Sequence, residues 1–228
     1  MSSKLVIFNK ALLACAQSGM LTSADGATPQ HSALNLHYAD VVKEVLASRP
    51  WSFAQRYLAL TPNVWDADNP PSGYSTQADW DAHFTPAGDW AYSYTLPSDY
   101  VGYPSICGVT RNPRADQRIP FLVVRRSFPG IAGVRGPVNV ALLYCDQPEI
   151  TLRYTSSDTE PEAFDQLFET CIVYLLAARV AVAVGAGPNI MNANLQLYQR
   201  ALGDAHVASM LEAQDDPEPD GSLLAGRF

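Results

Sequence analysis

Asp79 and Asp81 flank Trp80 in the stretch ADWDA. Two carboxylates beside an aromatic ring suit glycoside chemistry, in which one acid protonates the leaving oxygen and the other attacks or activates water. With Trp90 downstream, they outline a glycan-binding or polysaccharide-hydrolysing site. Two residues apart in a segment broken by Pro and Gly, the pair has no fixed separation, and a solvated acidic loop accounts for it more simply. The four histidines, His31, His37, His83 and His206, lie far from any HExxH pattern or carboxylate cluster, and the reading expects capping or solvated roles and no metal. Cys15, Cys107, Cys145 and Cys171 show no CxxC spacing and read as reduced, buried thiols. GAGP at 185–188 and GVRGP at 133–137 read as a helix break and a turn. With no GxSxG, P-loop or GxGxxG, neither a cofactor nor catalysis is expected.

Charge is distributed more tellingly than these motifs. The chain has 228 residues and a net charge of −8, which argues against nucleic-acid binding over the whole surface. Residues 61–100 hold six acidic and no basic residues, whereas residues 101–153 hold seven basic against three acidic. All seven are arginines: Arg111, Arg114, Arg118, Arg125, Arg126, Arg135 and Arg153. An ordinary arginine-bearing β surface is one reading. Contact with phosphates or with an acidic partner is the other, with Arg111, Arg114, Arg118, Arg125 and Arg126 as the residues that would make it. Residues 154–228 hold three basic and eleven acidic residues, so arginines of one copy could meet carboxylates of the next, as in a head-to-tail ring.

These groups must be held by elements whose periodicity is visible. Leu5, Phe8, Leu12 and Cys15 make one apolar stripe, predicting a first helix over 5–18 with Gly19 as its stop. A second helix is expected after Ser32 as N-cap, burying Leu34, Tyr38, Val41, Val45 and Leu46 and stopping before Pro50. Residues 61–89, with four prolines, two glycines and five aspartates, read as a long acidic loop. Strands are expected over 90–96, 105–109, 121–126, 138–144 and 150–154, with 53–60 as one more. A third helix is expected to open on a capping box, with Thr159 as N-cap and Glu162 at its third position. Its apolar stretch 171–187 carries Arg179 and is shorter than the roughly 20 residues a bilayer needs, so a buried helix of a soluble protein is expected, with no membrane contact. No signal peptide is read at the start. A fourth helix over 188–213 precedes an acidic tail, 214–228, read as mobile in the free protein, with Leu223, Leu224 and Phe228 as residues that could dock on a partner or a neighbouring subunit.

The expected fold is therefore α+β: a four-helix bundle from 1–50 and 155–213, with an inserted antiparallel β module over 51–154, a small barrel or sandwich. In SRPWSFAQRYLAL (48–60), Trp51 and Phe53 follow the proline stop at once and are expected as buried core at the junction of the two modules.

Several stretches together resemble the tail tubular protein A family, the head-to-tail adaptors of short-tailed bacteriophages. FNKALLACAQ (8–17) is similar to the family's first helix, and YADVVKEVLASRPWSFAQRYLAL (38–60) to its second helix and Pro-Trp-x-Phe-Ala element. WAYSYTLPSDY (90–100) resembles its aromatic strand and Leu-Pro-x-Asp. ITLRYTSSDTEPEAFDQLFETCIVYLLAARVA (150–181) resembles its last strand and third helix, and LQLYQRALGDA (195–205) its last helix. The loop 61–89 and the tail 214–228 depart from the pattern. The resemblance implies a non-enzymatic subunit of a dodecameric ring in the virion, made in the host cytoplasm. Such a ring sits between the portal protein and the tail nozzle protein and passes genomic double-stranded DNA without reading its sequence.

Overall fold

A computed structural model describes residues 3–69, 74, 76–107, 119–128 and 138–212. Among them the chain is mixed α+β, with five helices and two small antiparallel sheets that do not close into a barrel. It divides into two compact units, one from Met1–Val45 with Glu160–Phe228 and one from Leu46–Thr159. Among the described residues no helix is long and apolar enough to cross a membrane.

In the first unit, α1 (Lys4–Ala14) is capped by the Ser3 hydroxyl and buries Ile7, Phe8, Ala11 and Leu12. It ends five residues before the expected stop at Gly19. Ala16 adopts φ 58, its N–H bonds the Leu13 carbonyl, and the Gln17 N–H bonds the Leu12 carbonyl. That is a Schellman closure with alanine where glycine is usual.

The second helix, α2 (Pro29–Leu46), starts before Ser32, because Thr28 already serves its first turn. The Ser32 N–H bonds the Thr28 carbonyl, and Thr28 Oγ1 lies 2.6 Å from His31 Nδ1. His31 Nε2 donates to the Ser23 carbonyl at 3.1 Å, since that oxygen only accepts. Gly26 passes so close that a Cβ there would lie 2.7 Å from the His31 ring.

The expected capping box at Thr159 does not form. Pro161–Ala163 makes one 3-10 turn, Phe164 takes ψ 130, and α4 (Gln166–Val180) begins at Asp165, whose carboxylate accepts from the Phe168 N–H at 2.6 Å. Apolar residues all round α4 make it the buried helix. Lys10 of α1 pairs with Glu169 at 2.6 Å, the Cys15 thiol donates to the Ala177 carbonyl at 3.2 Å, and Arg179 meets Glu44 of α2 at 2.7 Å. Phe8 and Tyr38 pack edge to face with centroids 5.5 Å apart. Gly185, at φ 80, closes the turn into α5 (Pro188–Glu212), which buries only a narrow stripe including Asn194, Ala201 and Ala205. The Asn194 amide donates to the Ala14 carbonyl at 3.0 Å.

In the second unit, β1 (Gln55–Leu60), β6 (Ile150–Ser156) and β3 (Tyr100–Cys107) form one sheet in the order β1-β6-β3. The other has the order β2-β5-β4, from β2 (Tyr92–Thr95), β5 (Val138–Cys145) and β4 (Leu122–Phe128). Every pairing is antiparallel. Alternation on β6 and β5 sends Ile150, Leu152 and Tyr154 to meet Leu143, Cys145 and Tyr94 in one core between the sheets.

The segment 61–89 is not a bare loop. Thr76 caps a short helix, α3 (Gln77–Phe84), and its i, i+4 pair Trp80 and Phe84 is buried with Tyr74 on Leu142 and Tyr144, the opposite face of β5. Asn63 ties the preceding segment to β2, its N–H bonding the Ser93 carbonyl at 2.8 Å. The acidic stretch is thus a lid that dries the outer face of the second sheet.

Candidate functional site

Asp79 and Asp81 are both exposed on α3 and, two residues apart on a helix, point to different sides. Thr76 Oγ1 donates to the Asp79 carboxylate at 2.8 Å while accepting from the Asp79 N–H, so Asp79 completes the cap at the positive end of the helix. Trp80 is buried, with the Tyr74 ring edge-on at 4.9 Å and Phe84 at 4.1 Å, so its face is occupied by protein rather than open to a sugar. Trp90 packs against the same cluster. The described residues therefore do not set these carboxylates across a cleft.

Among the described residues no three His, Cys, Asp or Glu gather to hold a metal. Cys15, Cys145 and Cys171 are buried. Burial pushes the Cys15 thiol up to about 11, which keeps it protonated and unreactive at neutral pH.

The arginines divide by strand alternation. Arg126 lies on the outer face with Val124, 5.6 Å over the Tyr144 ring, and donates to the His83 carbonyl at 3.3 Å. A cation there complements the negative end of α3. Arg125 points the other way and is exposed, close enough to Tyr100 for its charge to oppose the upward push of burial on that phenol. Arg111, Arg114 and Arg118 lie outside the described residues, as do Leu223, Leu224 and Phe228.

Trp51 is 3% exposed, and the buried Arg49 guanidinium stacks 4.5 Å from its ring centre. Phe53 is half-buried, tilted at 46° to Trp51 with centroids 6.3 Å apart. Both belong to the unit Leu46–Thr159, where a 3-10 turn, Ser52–Ala54, leads into β1.

Asp99 plays a part that its Leu-Pro-x-Asp setting did not announce. Its carboxylate accepts from the Tyr154 hydroxyl, at 3.0 Å to one oxygen, and from Ser156 Oγ, while its carbonyl accepts from the Ser157 N–H at 2.7 Å. Burial, then the bond to Asp99, raises the Tyr154 phenol to about 12. This clamp fixes the end of β6.

Several large apolar side chains are exposed. Tyr57 and Leu58 stand 48% and 39% exposed on opposite faces of β1, whose outer edge pairs with no strand among the described residues. Leu195, Leu197 and Val207 are exposed along α5. Such surfaces suit contact with protein.

A comparison of the chain with protein-family models finds no match, and a comparison with curated proteins finds none either.

Proposed function

We propose that this chain is a structural virion protein, one subunit of a head-to-tail adaptor ring that joins the portal to the tail nozzle and forms part of the DNA ejection channel. The resemblance of the ordered stretches between residues 8 and 205 to the tail tubular protein A family supports it. In this reading α1, α2, α4 and α5 form a four-helix bundle that packs on neighbouring copies and on the portal. The strands project toward the nozzle, and the acidic balance of −8 lets DNA pass without gripping it.

The observation that carries the proposal is the exposed apolar surface among the described residues, Tyr57 and Leu58 on β1, whose outer edge pairs with no described strand, and Leu195, Leu197 and Val207 on α5. A monomer normally blunts such an edge. A closed ring of identical copies covers it.

Electron microscopy of the protein mixed with its portal, and of virions, tests the reading. A dodecameric ring seated on the portal is expected, and portals that stay bare, in virions that nevertheless carry tails, would sink it. Deleting 214–228 is expected to weaken portal attachment without unfolding the helices; normal loading of the shortened chain would remove the tail from the interface.

A further inference from the structure

Strand β3 does not follow β6 evenly. Its partners run Gly102 with Thr155 and then Ser105 with Arg153, so Tyr103 and Pro104 bulge outward opposite Tyr154. Tyr103 sits at φ 52, a left-handed conformation that a tyrosine rarely adopts. Bulges and backbone strain of this kind concentrate beside binding sites, because they open a sheet and re-aim its side chains.

Here the bulge opens a pocket of about 340 Å³ within the β unit. Ile106, Ile119 and Phe121 form apolar walls, and Arg153, Ser105 and Thr155 bring polar groups. Arg153 makes no ion pair and no side-chain hydrogen bond among the described residues. Thr155 is fully buried, and its hydroxyl has no hydrogen-bond partner among the described residues. Among the described residues no carboxylate lines the cavity. An unengaged guanidinium beside apolar walls and an orphaned hydroxyl is the inventory of a site for an anion on an apolar stem.

We propose that this bulge pocket binds a carboxylate carried on an apolar group, with Arg153 gripping the carboxylate and Ile106, Ile119 and Phe121 holding the stem. The guanidinium's planar fork matches a carboxylate in two parallel bonds. The carboxylate comes either from a free amphipathic acid or from an acidic side chain next to an apolar residue in a partner protein. The site stands whether or not the chain assembles into a ring.

Titrating the full chain, labelled for amide and arginine side-chain NMR, separates these sources. The probes are N-acetyl-phenylalanine, its uncharged amide, and the end-blocked peptide acetyl-Leu-Glu-Phe-amide. Saturable shifts at Ile106, Phe121 and the Arg153 Nε–H are expected with at least one carboxylate probe and not with the amide. Binding of the free acid alone marks a small-molecule site, and binding of the peptide alone marks a protein partner's side chain. Arg153→Gln is expected to weaken binding about tenfold or more, the loss of a charge-assisted bond. Arg153→Lys, which keeps the charge but not the fork, should weaken it less. Silence with both carboxylate probes, equal binding of the amide, or unchanged affinity in Arg153→Gln overturns the proposal.

Discussion

Lys10 Nζ lies 2.6 Å from Glu169 Oε1, joining the first helix to the fourth across 159 positions of sequence. The pair is lopsided: the lysine side chain is 53% exposed and the glutamate 9%. Lys10→Met takes the cation from a carboxylate that has little water to fall back on. Glu169→Gln leaves a lysine that simply hydrates. Urea titrations are expected to show Lys10→Met losing about 1–3 kcal/mol and Glu169→Gln clearly less. The reverse order would show that the carboxylate is better hydrated than its burial implies.

Ala16→Gly is expected to stabilise the protein. The alanine holds a left-handed conformation at φ 58 on an exposed turn, a strain of about 1 kcal/mol that glycine does not pay. A melting temperature that falls instead would mean the gain in unfolded-chain entropy outweighs the relief of strain.

Trp51→Ala should cost about 3–5 kcal/mol, the range for a core aromatic. It also removes the ring beneath the Arg49 guanidinium, so Arg49 loses its aromatic face in the same step. A near-normal melting temperature would contradict the burial of Trp51 and return it to an open surface.

Trp80→Ala is expected to lift α3 from the second sheet. Leu142 and Tyr144 would then meet water on a face that is now dry. Increased binding of a hydrophobic dye, with faster amide exchange on β5 and little change on α4, is the signature. Uniformly faster exchange would instead mean that α3 and the helices unfold as one.

Alkaline stability should depend on Tyr154 and Tyr38. Burial, then Asp99 for Tyr154 and Glu162 and Glu160 for Tyr38, raises both phenols from 10.0 to about 12. A group whose folded value is raised contributes stability that is full below its unfolded value and is lost as pH climbs through the folded one. The loss should therefore fall between pH 10 and 12. Tyr154→Phe should flatten part of the decline in urea midpoint over that window, and an unchanged slope would place the titration elsewhere.

Periodicity made the helices and most strands legible. Buried residues on α1 and α2 repeat every three or four positions, and β6 alternates from Ile150 to Tyr154. Strand β5, with Leu142, Leu143, Tyr144 and Cys145 all buried, reads as a strand covered on both faces, so local chemistry and final packing agree. The misses lie where the two compete. The Thr159–Glu162 box has good local chemistry, but Phe164 breaks the turn and Asp165 offers a second cap that α4 uses. In α3 the apolar signal is only Trp80 and Phe84, too short a pattern to rise above the surrounding prolines and glycines. Counting arginines did not separate Arg126, engaged by α3 and Tyr144, from Arg153. That difference comes from strand parity and a bulge two residues long, neither of which a composition window sees.

The unit containing α1 is built from both ends of the sequence, while the β unit is one unbroken stretch, Leu46–Thr159. On a ribosome, α1 emerges with Ile7, Phe8 and Leu12 facing water, and the helix it packs on starts only at Gln166. At typical rates of translation that wait is on the order of ten seconds. The order of birth thus runs against the order of closure: the inserted strands can fold while the older helix is still unsatisfied, and a chaperone that holds apolar segments would meet α1 before its packing partner exists.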